Sequence, residues 1–133
     1  MPLNDRSKQK LVGVHPDLIR VVEEAFDIAK EEGLDFIITE GVRTLTRQRQ
    51  LVAAGASQTM KSRHIPGPDG LSKAIDFAVV IAGEITWKFP AYTPVAACFK
   101  RAAEKLGVPI VWGGDWKSLR DGPHIELDRK KYP

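Results

Sequence analysis

The chain has 133 residues, 43% hydrophobic and 28% charged, with glycine and proline scattered along it; this size closes one hydrophobic core, so a single domain over 1–133 is expected. A lone cysteine, Cys98, excludes an internal disulfide, and no run approaches the roughly 20 apolar residues of a membrane span, so no stable membrane insertion is expected. A net charge of +3 suits anionic surroundings, whether nucleic acid, lipid or acidic cell-wall polymer, without choosing among them.

From Pro16 to Glu32, apolar residues recur at helical spacing as Leu18, Val21, Val22, Ala25, Phe26, Ile28 and Ala29, and Gly33 follows as a stop. This predicts a first helix, with His15 before it as a cap or an exposed group. The β-branched run Phe36-Ile37-Ile38-Thr39, bounded by Asp35 and Gly41, predicts a buried strand. Thr44 or Thr46 can cap a second helix running through Gln50 to Ala54, ended by Gly55. Ala56 to Ser72 is rich in Ser, Pro and Gly and predicts a loop, long enough to suggest a functional role. Ala74 to Ile81 predicts a strand that turns at Ala82-Gly83-Glu84 into Ile85-Thr86-Trp87 as a hairpin. Thr93-Pro94 predicts the N-cap and first residue of a third helix, with Val95, Phe99, Ala102, Ala103 and Leu106 on its apolar face and Gly107 at its end. Val108 to Trp112 and His124 to Leu127 predict two last strands, joined by the polar loop Gly113 to Pro123. Together these elements predict a small α+β domain, an antiparallel sheet with about three helices packed around it.

Three segments put polar groups where a plain core would not need them: Ser62-Arg63-His64 in the long loop, Asp76 within an apolar strand, and Asp121-Gly122-Pro123-His124 entering the last strand. A carboxylate at Asp76 either lies on the solvent face of an alternating strand or must be paired, hydrogen-bonded or bound to a cation. His64 and His124, read singly, fit a surface or satisfied core position as well as a ligand. Two imidazoles with one carboxylate and a fourth position open to water form the pattern of a catalytic zinc in a surface cleft, whereas closed structural sites prefer cysteines. A working zinc needs a base to take the proton of its water and pass it to the leaving amine. Asp121, three residues before His124, has the spacing for that role, although Asp121-Gly122 also reads as an ordinary turn. Arg43 can hold a substrate carboxylate or a developing oxyanion with its planar fork, or can be a surface residue at a strand end. Trp112 and Trp116 flank Gly113-Gly114-Asp115 and can wall a cleft, with core packing the alternative for Trp112. Cys98 sits near the apolar face of the third helix and reads as packing, with no partner base.

At these residues the chain resembles the zinc peptidases that cut bacterial cell-wall peptides, a group containing D-alanyl-D-alanine carboxypeptidases and dipeptidases and the phage L-alanyl-D-glutamate endolysins. The resemblance rests on Glu40-Gly41-Val42-Arg43-Thr44, on Ser62-Arg63-His64 followed by Ala74-Ile75-Asp76, on Trp112-Gly113-Gly114-Asp115-Trp116, and on Asp121-Gly122-Pro123-His124-Ile125-Glu126-Leu127, in the family's order. It implies Zn2+ held by His64, Asp76 and His124, Asp121 as general base and acid, Arg43 as substrate or oxyanion contact, and Ser62 as a group on the substrate side. One departure stands out: the family spaces its first histidine and its aspartate about seven residues apart, and here Pro66-Gly67-Pro68-Asp69-Gly70 lies between them. Asp69 is therefore a rival ligand, although Asp76, embedded in a strand pattern, fits better.

The absence of an attached wall-binding module looks like the endolysins of phages that infect Gram-negative bacteria. That implies hydrolysis of the L-alanyl-D-glutamate bond of peptidoglycan stem peptides by water activated at the zinc. No basic start followed by an apolar stretch opens the chain. The implied enzyme is a monomer that waits in the host cytoplasm and acts on the wall after holin-mediated release. A D-alanyl-D-alanine carboxypeptidase is the alternative within the family. A basic nucleic-acid-binding module is the alternative outside it, and the spread of Lys and Arg through every segment, with no stripe beside aromatics, speaks against nucleic acid as a partner.

Overall fold

A computed structural model of the chain describes residues 3–55, 62–118 and 120–133. Five strands form one antiparallel sheet: β1 (Asp35–Glu40), β2 (Ala74–Ile81), β3 (Glu84–Thr86), β4 (Ile110–Trp112) and β5 (His124–Leu127). Their order is β1-β2-β5-β4, with β3 hairpinned onto the end of β2. The described residues also form four α-helices, α1 (Asp5–Lys10), α2 (Pro16–Glu31), α3 (Leu45–Ala53) and α4 (Tyr92–Leu106). None is long and apolar enough to cross a membrane.

Strand alternation gives the sheet two unlike faces. β2 sends Ile75, Phe77 and Val79 into the core, and β5 sends Ile125 and Leu127 there. The helices α2 and α4 pack on each other over that face, burying Leu18, Val21, Val22, Ala25, Val95 and Ala102. Phe36, Phe77 and Phe99 meet at its centre, with ring centroids 4.9–5.9 Å apart. The opposite face carries Asp76 from β2 and His124 and Glu126 from β5, each offset by one residue from a core position.

Several elements depart from the sequence expectation. α1 is not announced by the sequence, because the one residue it buries is Ser7, flanked outside the helix by the buried Leu3 and Leu11, and the serine breaks the apolar pattern. Ser7 is buried because its Oγ accepts the N–H of Ile38 on edge strand β1, at 3.0 Å. α4 begins at Tyr92 rather than after a cap at Thr93. A short 3-10 turn over Phe89–Ala91 leads straight into it, and Pro94 falls within the first turn, where its missing N–H has no helical partner to lose. Tyr92 is anchored there: its hydroxyl donates to Thr86 O at 2.8 Å and accepts from Val79 N. β4 starts at Ile110 rather than Val108, and β3 runs over Glu84–Thr86, one residue earlier than expected; α2 is capped by His15 Nδ1, which accepts from Asp17 N, and α3 by Thr44, as expected. The expected loop 56–72 lies partly outside the described residues; 62–72 is irregular and ends in an isolated bridge between Ser72 and Val14. Cys98 is fully buried, and burial beside Glu32 pushes its thiol up to about 11, as suits a packing residue.

Removing the ring at the aromatic centre leaves a cavity that β2 and α4 cannot both close. Phe99→Ala is therefore expected to lose about 3–5 kcal/mol of unfolding free energy in urea melts, and an unchanged midpoint would contradict this packing.

Candidate metal centre and active site

Strand register builds the centre of the site. Asp76 on β2 pairs with His124 on β5 and, on its other side, with Glu40 at the irregular end of β1. Residues directly opposite in such pairs hold their side chains close together. His64 reaches the same place from the long loop. Its N–H donates to Ser62 Oγ at 3.2 Å, its carbonyl accepts from Arg43 N at 2.9 Å, and its Nδ1 lies 2.8 Å from the carbonyl of Gly41. His64 Nε2 is then 3.3 Å from Asp76 Oδ1, and His124 Nδ1 is 3.4 Å from the same oxygen. One donor atom from each of the three residues lies within 4.8 Å of the others.

The tautomers follow from the partners. A carbonyl can only accept, so His64 Nδ1 carries the proton and Nε2 presents a lone pair. His124 Nε2 lies 2.9 Å from Glu126 Oε1, so the proton sits there and Nδ1 faces Asp76. Asp76 Oδ1 is buried and receives no hydrogen bond, an expensive state for a carboxylate unless a cation meets it. Burial alone would raise the Asp76 carboxyl, yet the His124 and His64 rings hold it well below the ordinary carboxylate range. Burial likewise works against a proton on His124, but the Asp76 and Glu126 carboxylates outweigh it and push its pKa up to about 9. Both shifts mark a place that attracts positive charge, and two imidazole nitrogens with one carboxylate oxygen suit a transition metal.

Asp121 lies beside this cluster on the turn that enters β5. Its N–H donates to Gly113 O at 3.0 Å, and its carbonyl accepts from His124 N at 3.2 Å. Gly113 makes that approach possible, because a Cβ there would lie 2.4 Å from Asp121 O and 3.0 Å from His124 Cβ. Burial and the neighbouring Asp76 charge push the Asp121 carboxyl up, against the pull of His124, His64 and Arg43.

Arg43 is not a surface residue. It is largely buried, with Nε and Nη2 donating to the two oxygens of Glu40 at 2.6 and 2.7 Å and Nη1 donating to Gln48 at 2.8 Å. Ser62 Oγ is 3.5 Å from Nη1, and Asp76 Oδ2 is 3.7 Å from Nη2. Its fork is thus held by Glu40 and Gln48, with Asp76 as the next carboxylate within reach. α1 braces the same corner: a Cβ on Gly41 would lie 2.0 Å from Lys10 O, so only glycine lets α1 press against the segment whose carbonyl orients His64.

The two tryptophans separate. Trp116 packs on the His124 ring, centroids 5.1 Å apart. Trp112, expected to share the cleft wall, is instead 5% exposed, and its indole N–H donates to Gly122 O at 2.7 Å. Its work is to hold the Asp121–Gly122 turn, because a buried indole needs an acceptor. Asp69 lies outside the cluster: its carboxylate takes Lys73 Nζ at 2.9 and 3.0 Å and Leu71 N at 3.1 Å, closing the inserted turn on itself. The sequence reading gave no role to Glu40 or Glu126. Their spacing carried the signal, since Glu40 precedes Arg43 by three residues and Glu126 shares a strand face with His124.

A His/Asp/His cluster on the open face of a small α+β sheet defines a candidate metal-dependent hydrolase. Residues 1–132 match the family model of the phage L-alanyl-D-glutamate peptidases, and the chain belongs to that family. It is 35% identical over 130 residues to the L-alanyl-D-glutamate peptidase of Escherichia phage T5, covering 95% of this chain and 88% of that protein. The crystal structure of the L-Ala D-Glu endopeptidase ChiX of Serratia marcescens matches with a TM-score of 0.87 at 39% identity, over 100% of this chain and 94% of that one. In fold alone, a variant of the vancomycin-resistance D,D-pentapeptidase VanY in complex with Zn(II) matches with a TM-score of 0.55 at 14% identity, over 86% of this chain and 72% of that one.

The two aspartates can be told apart by metal content. Asp76→Ala is expected to abolish stoichiometric zinc in equilibrium dialysis, while Asp69→Ala retains it; loss of zinc in the Asp69 variant alone would reverse the assignment.

Proposed function

We propose that the chain is a zinc endopeptidase that hydrolyses the L-alanyl-D-glutamate bond of peptidoglycan stem peptides. The observation that carries this reading is the convergence of His64 Nε2, Asp76 Oδ1 and His124 Nδ1 on one point, with the Asp121 turn beside it. Membership of the peptidase family supports the choice of bond. When bound, zinc supplies a Lewis acid and lowers the pKa of water so that it can act as a nucleophile near neutral pH.

The chain's own residues do the rest. Asp121 takes the proton of the attacking water and returns it to the departing D-glutamate nitrogen, so that the elements of water are divided between the two new ends. Partial burial keeps its carboxyl from being an indifferent, fully solvated acid. Arg43 brings a fixed positive charge to the site, and Glu40 and Gln48 hold it in place, so it can attract a substrate carboxylate or the oxyanion without reorganising. Trp116 offers an apolar wall against the His124 ring. Ser62 fixes the turn that delivers His64 and lies on the substrate side of it. In this reading the enzyme waits in the host cytoplasm and reaches the wall after holin-mediated release, where a net charge of +3 draws it to acidic polymers.

Digestion of purified peptidoglycan tests the bond. Mass spectrometry should find new L-alanine carboxyl ends matched by D-glutamate amino ends, whereas release of D-alanine would make the protein a carboxypeptidase. Asp121→Ala is expected to keep its zinc and lose at least about 100-fold in activity. Full activity in that variant would remove Asp121 from the reaction.

A further inference from the structure

We infer that Glu126 is a positioning residue for the metal centre, a carboxylate clamped by two arginines that fixes the tautomer and orientation of His124. The inference rests on the zinc-peptidase reading above. Glu126 is 6% exposed, on the β5 face that carries His124 and opposite Ala74, whose small side chain leaves it room. Its two oxygens are divided. Oε1 lies 2.9 Å from His124 Nε2, while Oε2 lies 3.4 Å from Arg129 Nε and 3.8 Å from Arg63 Nε.

Arg63 is itself held, donating through Nη2 to the carbonyls of Leu127 and Tyr132, so the end of β5 and the C-terminal segment fix where the Glu126 carboxylate sits. With Arg129 and Arg63 drawn to Oε2, the other oxygen, Oε1, is left to accept from His124 Nε2. That makes Nδ1, the atom facing Asp76, the nitrogen that gives up its proton to a metal. A carboxylate behind a metal-binding imidazole makes it a better donor and prevents the ring from turning its other nitrogen to the metal.

A buried glutamate between arginines also reads as a plain ion pair, and the two roles differ in what Glu126→Gln does. An amide must turn its oxygen to the arginines, which points its NH2 at His124 Nε2, donor against donor. The proton then moves to Nδ1 and the lone pair is lost from the metal side. In chelator competition, Glu126→Gln should bind zinc about 10–100-fold more weakly than wild type, with an unchanged circular dichroism spectrum. Imidazole nitrogen shifts in the zinc-loaded protein should show His124 bound through Nδ1 in wild type and not in the variant.

If Glu126→Gln fails to fold, Glu126→Asp carries the test, since it keeps the charge between the arginines and withdraws the oxygen from Nε2. Wild-type zinc affinity in either folded variant overturns the inference and leaves the peptidase reading standing. A wild-type protein that takes up no zinc overturns both.

Discussion

Asp76 Oδ1 is buried between two imidazole nitrogens at 3.3 and 3.4 Å and receives no hydrogen bond, so its charge must be met by a cation. Much of the molecule maintains that arrangement. The sheet register sets Asp76 beside His124, and a slip of one residue would carry the carboxylate into the aromatic core and Phe77 to the open face. The helices α2 and α4 guard the register by making the other face of β2 and β5 apolar. Core and site are two consequences of one alternation.

The parts that are not sheet hold the remaining groups. α3 contributes Gln48, its one buried residue, to the Arg43 guanidinium. α1 presses on Gly41, whose carbonyl orients His64. Trp112 lies beneath the turn that carries Asp121, and Gly113 lets the chain pass close enough to hold that turn against β5. Around the three converging atoms there is thus a second ring of carbonyl, hydroxyl, amide and carboxylate partners, each fixing a proton or a rotamer. Such partners let a small domain hold ligands without disulfides.

What the sequence revealed followed from periodicity and chemistry within single segments. The bounds of β2 and β5 could be read directly, because β-branched runs ended at turn residues, and α2 was evident from seven apolar residues at helical spacing. Asp76 stood out as a carboxylate inside an apolar run, which made it a better candidate than Asp69 despite the unusual distance from His64. What stayed hidden depended on tertiary neighbours. α1 turns a serine inward to satisfy an edge strand, which no apolar pattern announces. Arg43 read either as a substrate or oxyanion contact or as a strand-end surface residue, and Glu40 and Gln48 closing over it rule out the surface; Trp112 looked equally suited to wall or core until its indole found Gly122. Glu126 was visible only as a member of a motif, because its role depends on arginines from elsewhere.

The central claim is that a metal is held by His64 Nε2, Asp76 and His124 Nδ1. Anomalous diffraction from crystals of the zinc-loaded protein, collected on both sides of the zinc edge, tests it most directly. One peak is expected at about 2.0–2.2 Å from those atoms, with His124 Nε2 still on Glu126. A peak at the Asp69–Lys73 turn, or coordination through His124 Nε2, would contradict it.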